Sequence, residues 1–235
     1  AATITGADAI HPGYGFLSEN ANFAEMVEEH GFTFIGPTPE HIRMMGDKIT
    51  AKRIAEETGM PVVPGSKGSV DSVADALAIG EEFGYPVIVK ATAGGGGRGM
   101  QLVRNPDEME VNWKTARTEA LAAFGNADVY IEKFLTKPRH IEIQVLCDTH
   151  GNAVHVGERD CSLQRRNQKV LEEAPSPALN EAQRKEIGET VADAMRKMKY
   201  RGVGTVEFLY EDGEFFFIEM NTRLQVEHPI SEMIS

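Results

Sequence analysis

The sequence predicts a mixed α/β and α+β protein, and three observations carry that prediction. Residues 1–46 alternate short apolar runs with a helical pattern, the β-turn-α-β rhythm of a parallel layer. In the middle, two β-like runs flank Gly94-Gly-Gly-Gly-Arg-Gly99 and are bracketed by helical stretches. Near the end, two apolar strands meet at Asp212-Gly213, and each carries one carboxylate.

The whole-chain numbers set bounds. With 235 residues, 41% hydrophobic and 26% charged, the chain can bury a substantial core as one large or two small units. A formal net charge of -12 argues against a nucleic-acid binder, which needs a basic face, but leaves room for a local cationic site. No apolar run approaches the roughly 18 residues of a membrane span, so no membrane role is expected. Cys147 and Cys161 have neither zinc nor CxxC spacing, so reduced cytosolic thiols are expected. The chain starts Ala-Ala and stops after Glu232-Met-Ile-Ser235, and we expect a piece of a longer protein.

In order, Ala9-Ile10 reads as a strand end, His11-Pro-Gly-Tyr-Gly15 as the loop after it, Asn22 to His30 as a helix, and Phe32 to Pro37 as the next strand. Loops at such strand ends hold ligands in α/β folds, although a plain tight turn fits the motif equally. Asp47 to Thr58 reads as a helix stopped by Gly59. Lys48 in its first turn opposes the helix dipole at a cost of a few tenths to about 1 kcal/mol, which suits either an anion partner or a solvated lysine. Met60 to Ser66 is a Pro- and Gly-rich joint where a lid would begin. A helix follows from Ser72 to Phe83, then the glycine loop, then a helix from about Asp107 to Phe124.

Five glycines in six positions offer bare backbone N–H groups beside Lys90, as a phosphate-holding flap would. A flexible surface turn is the competing reading. The run Met100 to Arg104 resumes a β pattern, so neither a dinucleotide loop, which must open a helix, nor a Walker loop fits. Val129 to Leu135 reads as a strand whose Glu132-Lys133 pair either walls a pocket or is solvated at an edge. Arg139 to Val145 alternates, with His140, Glu142 and Gln144 on one face and Ile141, Ile143 and Val145 on the other. Glu158 to Glu173 is too mixed in charge for a core strand and too aperiodic for a surface helix; its Arg165, Arg166 and Lys169 would suit an oxyanion, or the charges form a salt-bridge network. Asn180 to Tyr200 is a long amphipathic helix with Met195 and Met198 inward.

Glu207 and Glu219 sit in otherwise apolar strands, and buried carboxylates need a cation. A plain two-residue Asp-Gly loop would pair Glu207 with Ile218 and send the two acids to opposite faces. A shared metal therefore requires an odd or bulged register. Glu207, Glu219 and the Asn221 amide are oxygen ligands suited to Mg²⁺ or Mn²⁺. Arg223, Gln225, Glu227 and His228 follow directly, as a functional set or a solvated end.

The glycine loop after Lys90, the Glu132-Lys133 wall, the acidic hairpin and Asn221-Thr-Arg-Leu-Gln-Val-Glu-His228 resemble the ATP-grasp fold and, within it, the biotin carboxylases. His11-Pro-Gly-Tyr-Gly-Phe-Leu-Ser-Glu-Asn20, Met45-Gly-Asp-Lys48, Arg139-His-Ile-Glu-Ile-Gln144 and Glu158-Arg-Asp-Cys-Ser162 resemble that family's motifs in the same order. The resemblance implies that residues 1–46 end a Rossmann-like N-terminal domain and 47–235 form a truncated ATP-grasp domain, with a lid at about 63–134 and a metal and catalytic part at about 135–235. It implies Lys48, Lys90, Gly96 and Gly97 on ATP phosphates, Glu132, Lys133 and Leu135 around adenine, and His140, Gln164 and Asn167 near ribose and phosphates. Glu207, Glu219 and Asn221 would bind the metal, as two ions. Lys169, Arg223, Gln225 and the Val226 backbone would hold bicarbonate, with Tyr14 on the biotin side.

In this scheme Glu227 deprotonates bicarbonate, carboxyphosphate forms, and Arg223 stabilises the biotin enolate, making Arg223, Glu227 and Lys169 the catalytic set. Asn167 stands where the family usually has His; it can hydrogen-bond but carries no charge. The resemblance is strongest to the biotin carboxylase of acetyl-CoA carboxylase in fatty acid synthesis, and the pyruvate, propionyl-CoA and methylcrotonyl-CoA carboxylases share the motifs. Implied partners are a biotin carboxyl carrier protein, a carboxyltransferase component and a second copy in a homodimer, in a bacterial-type cytoplasm. Competing readings are another bicarbonate-activating ATP-grasp ligase, such as the carbamoyl-phosphate synthetase large chain, and a non-catalytic nucleotide-binding module.

Overall fold

The computed structural model describes residues 1–93, 99–166 and 168–235. Its first layer runs α1 (Ala2–Thr5), β1 (Ala9–Ile10), α2 (Ala21–Glu29), β2 (Thr33–Phe34) and α3 (Pro39–Gly46). β1 and β2 pair in parallel, as the β-turn-α-β rhythm requires. Asn20 caps α2 by accepting from the Phe23 N–H, and Ala24, Val27, Phe34 and Ile42 close a small core. The sequence reading missed α3. Its signal is short but present: Thr38 accepts from the His41 N–H, and Pro39 occupies the first turn.

α4 (Lys48–Thr58) starts at the Asp47 cap and stops at Gly59, whose φ of 96° is left-handed. Beyond the joint lie α5 (Val73–Phe83), β3 (Val87–Ala91), β4 (Met100–Val103), a 3₁₀ turn (Pro106–Glu108), α6 (Met109–Phe124) and β5 (Val129–Lys133). The three strands form an antiparallel sheet in the order β4-β3-β5, with Lys90 opposite Met100 on one side and Tyr130 on the other. Val87 and Val89 turn one face of β3 into a core with Ala76, Met109 and Ala116. The alternate residues Ile88 and Lys90 are thereby left to the other face. Gly96 and Gly97 lie outside the described residues.

The larger sheet is built from β6 (Arg139–Cys147), β7 (Ala153–Arg165), β8 (Gln168–Glu173), β9 (Gly202–Glu211) and β10 (Glu214–Asn221), in the order β10-β9-β6-β7-β8. α7 (Glu181–Met198), held at its start by the Asn180 and Gln183 capping box, packs with α4 on the apolar face. That face carries Ile141, Ile143, Val206 and Phe208, and Met195 of α7 packs onto it, all at most 1% exposed. α8 (His228–Ile234) ends the chain. No described helix is long and apolar enough to cross a membrane.

The segment 158–173, expected to be no core strand, is the β7–β8 hairpin. The charges of its first part are paired inside the fold: Glu158 meets Arg184 of α7 at 2.7 Å, and Arg159 turns to the opposite face. A strand polar on both sides has no one-dimensional signature. Arg165 and Arg166 are exposed, so of the three cations suggested for an oxyanion only Lys169 points inward. Glu132 is also not solvated at its edge; it is 5% exposed.

Candidate active site

The site begins with the β9–β10 hairpin. Asp212 and Gly213, at φ 53° and 92°, make a two-residue turn that pairs Glu211 with Glu214. Unbroken, that register would set Glu207 opposite Ile218. A bulge at Ile218 advances the pairing by one, so that Glu219 pairs directly with Glu207 and both acids share a face. Both line a cleft of about 670 Å³ between this hairpin and the β3–β5 sheet.

Glu207 is 5% exposed. One oxygen accepts from Lys169 Nζ at 2.9 Å and Asn221 Nδ2 at 2.7 Å. His140 Nε2 lies 2.7 Å from the other, without the alignment of a hydrogen bond. Burial works against the Glu207 charge, but His140 and Lys169 override it and bring the carboxyl down to about 2. Glu219 goes the other way: burial and then the Glu207 charge raise it, while Lys48 Nζ at 3.9 Å helps little. Two facing carboxylates, one held back by the other, make a donor set that a hard divalent cation satisfies. The Asn221 amide turns its NH₂ to Glu207 and its oxygen to Arg223 Nη2, so a half-turn of the amide would complete an oxygen set. Ligand atoms of His140, Glu142 and Glu207 also lie within 4.8 Å of one another, but Lys169 and Arg159 already pair with the two carboxylates.

Lys169 is the hub. Its Nζ donates to Glu142, to Glu207 at 2.9 Å and to Glu227 at 2.8 Å. Burial disfavours its charge, yet Glu207 and Glu142 more than reverse this and hold the ammonium well above its ordinary value. Burial raises Glu227, but the Lys169 hydrogen bond and charge outweigh it, and Glu227 stays below the usual carboxylate range.

Beneath them lies Arg159, which the sequence reading quoted within a motif and gave no role. Fully buried, its Nε donates to Glu142 at 2.6 Å, Nη1 to Gln144 and Ser231 at 2.9 and 2.7 Å, and Nη2 to Gln225 and Thr205 at 2.9 and 3.3 Å. It thus seats both Glu142, the partner of Lys169, and Gln225. Only its alternation with Glu142 and Gln144 across the β6–β7 pair could have revealed it.

The opposite wall belongs to the smaller sheet. Lys90 Nζ lies 2.7 Å from one Glu132 oxygen and Lys52 Nζ 3.0 Å from the other. Lys133 Nζ donates to the Gly84 carbonyl at 2.8 Å, and Leu135 follows with Ile88, Val63 and Leu209 as the apolar end of the cleft. Gln164 lines the cleft beside Lys169, and Tyr14 stands at its mouth, 59% exposed. Arg223 lies against Glu19 at 2.8 Å and Asn221 at 2.9 Å, with Gln225, Val226 and Glu227 beyond it. Every described residue to which the family resemblance gave a role lines this cleft, whereas Arg165 and Arg166 do not, and His228 lies 3.2 Å from Gln144. Asn167 lies outside the described residues. Of the His11 loop only Tyr14 reaches it; His11, Pro12 and Gly13 line a separate cavity of about 300 Å³ with Cys147 and Gly202.

A three-stranded sheet set over a larger sheet, with lysines on one wall and paired acids on the other, defines an ATP-grasp protein. Residues 47–235 match the family described as Carbamoyl-phosphate synthase L chain, ATP binding domain, and residues 1–42 match Biotin carboxylase, N-terminal domain. The chain belongs to that ATP-binding family and has the ATP-grasp fold of the biotin carboxylases. It is 60% identical over 236 aligned positions to a biotin carboxylase of Haemophilus influenzae, covering 100% of this chain and 53% of that protein. The biotin carboxylase of Campylobacter jejuni, solved as a beta-gamma-ATP complex, superposes with a TM-score of 0.95 at 51% identity, over 100% of this chain and 53% of that one. The biotin carboxylase domain of the Hydrogenobacter thermophilus 2-oxoglutarate carboxylase, solved as a dimer with MgADP, ADP and bicarbonate, gives 0.94 at 51% identity, over 100% and 52%. The chain spans about half the length of the curated relatives it matches.

Proposed function

We propose that this chain carries the nucleotide, metal and bicarbonate site of an ATP-dependent biotin carboxylase, which carboxylates biotin on a carrier protein. The observation that supports it best is Lys169 held between Glu227 and Glu207, one ammonium shared by the acid read as the base and the acid read as a metal ligand. In this reading residues 1–46 close a Rossmann-like domain, 47–235 are the ATP-grasp domain, and about 63–134 form the lid.

ATP lies between the sheets, with its phosphates towards Lys48 and Lys90 and its base along Glu132, Lys133 and Leu135. Mg²⁺ or Mn²⁺ at Glu207, Glu219 and Asn221 supplies charge neutralisation for the phosphates. Bicarbonate enters beside Lys169, Arg223, Gln225 and the Val226 backbone. An anion there competes for the Lys169 protons, loosens Lys169 from Glu227 and frees that carboxylate to accept the bicarbonate proton. The deprotonated oxygen attacks the γ-phosphorus, ADP leaves, and carboxyphosphate results. It splits into CO₂ and phosphate; the phosphate takes the biotin N1′ proton, and the enolate, stabilised by Arg223, attacks CO₂.

A role in acetyl-CoA carboxylase, with a carrier protein, a carboxyltransferase and a homodimer in a bacterial cytoplasm, is the finer reading. The 2-oxoglutarate carboxylase neighbour equally supports a domain serving another acyl acceptor. The test is bicarbonate-dependent ATP hydrolysis with Mg²⁺, with and without biotin, on this chain and on one extended at both ends. Biotin should stimulate hydrolysis, and Glu227→Gln should lower it by about 10²–10⁴-fold. ATP hydrolysis indifferent to biotin in both chains would refute the carboxylase reading.

A further inference from the structure

Glu132 sits where two parts of the fold meet. It belongs to β5, and its two oxygens are taken by different lysines: Lys90 from the neighbouring strand β3 at 2.7 Å, and Lys52 from α4 at 3.0 Å. α4 is anchored elsewhere, because Ala51, Ile54 and Ala55 are buried in the core of the larger sheet. All three polar side chains are secluded, at 17%, 6% and 15% exposure for Lys52, Glu132 and Lys90. Burial pushes the Glu132 carboxyl up, and the two ammonium groups more than compensate, keeping it below its ordinary value.

The charge count matters. Two cations and one anion leave a net positive charge, and of the two cations it is Lys90 that lines the cleft, beside Glu132. If Glu132 had Lys90 alone, the pair would be neutral. A phosphate drawing on Lys90 would then face a buried carboxylate stripped of its partner. We propose that Lys52 is a positioning residue for the nucleotide: it keeps the charge of Glu132 matched while Lys90 turns to a phosphate. This rests on the ATP reading given above. It requires Lys52 to act on phosphate binding without touching the nucleotide.

The experiment measures ATP and adenosine affinity by calorimetry, with thermal unfolding alongside, for the 235-residue chain, Lys52→Met, Glu132→Gln and the double variant. Losing one partner of a buried pair predicts that Lys52→Met weakens ATP by roughly tenfold or more, with adenosine changed less than about twofold. Against the Glu132→Gln background the same substitution should change ATP affinity less than about threefold, since no buried charge is left to match. Lys52→Met binding ATP like the unsubstituted chain overturns the proposal. So does an equal loss for ATP and adenosine, which would mark a structural role only, or a loss that persists undiminished in the double variant. If the unsubstituted chain binds adenosine and ATP equally, Lys90 engages no phosphate, and the ATP reading falls together with this proposal.

Discussion

Replacing Arg159 with Met removes a cation with no exposure and near-equal bulk, leaving Glu142 at 0% exposure with Lys169 as its one remaining cation. Gln144, Ser231, Thr205 and Gln225 lose a donor at the same time. Removing one member of a buried ion pair costs about 3–5 kcal/mol, because the other charge stays behind undercompensated. For a chain of this size each kcal/mol lowers Tm by roughly 2–4 °C, so the drop should be about 6–20 °C. Urea unfolding gives the free energy directly, and an unchanged m-value would show that the compactness of both states is preserved. Adding Glu142→Gln removes the stranded charge and should recover at least about 1 kcal/mol. A loss below about 1 kcal/mol for Arg159→Met, or no recovery in the double variant, would refute the idea that this guanidinium is the electrostatic floor of the cleft.

Two further outcomes follow from the geometry. Glu207 is held at about 2, below its ordinary 4.5, so its contribution is complete above about pH 4.5 and is lost as pH falls from there through 2. The difference corresponds to at most about 3 kcal/mol, and the raised Glu219 opposes it. Urea midpoints taken between about pH 5 and 3 should therefore fall more steeply for the unsubstituted chain than for Glu207→Gln; equal slopes would contradict the assignment. Gly65 runs against β5 so closely that a Cβ there would collide with the Ile131 carbonyl oxygen and lie 2.9 Å from Glu132 Cα. Gly65→Ala should cost about 1–3 kcal/mol in thermal unfolding, since backbone and not a side-chain tip must move, and an unaltered Tm would show that the strand gives way freely.

Local chemistry was readable where one element carries its own start and stop. α4, α5 and α7 announce themselves through Asp47, Ser72 and Asn180 and, for α4, through Gly59, whereas α2, read from Asn22, begins one residue earlier behind its Asn20 cap. The facing of Glu207 and Glu219 could be posed as a question of register, because a two-residue turn leaves only a bulge to answer it. The charges of β7 were opaque for the opposite reason. Arg159 is 66 residues from Gln225, and Lys52 is 80 from Glu132, so their partners are neighbours only after the sheets assemble. Charge that is matched at such separations looks, in one dimension, like charge that must be solvated.

The bulge at Ile218 makes the facing of the acids depend on two separate features of the last hairpin. A two-residue turn at the tip pairs Glu211 with Glu214, and the shift between Phe217 and Glu219 then brings Glu219 opposite Glu207. A peptide tag or a longer loop could be grafted at that tip with little consequence for the acids, provided Glu211 still pairs with Glu214. Deleting Ile218 alone would remove the bulge and leave Glu219 next after Phe217, still opposite Glu207 and still on the cleft face. The hairpin therefore separates its tip from its one-residue shift of register by four paired residues of β10, Glu214 to Phe217.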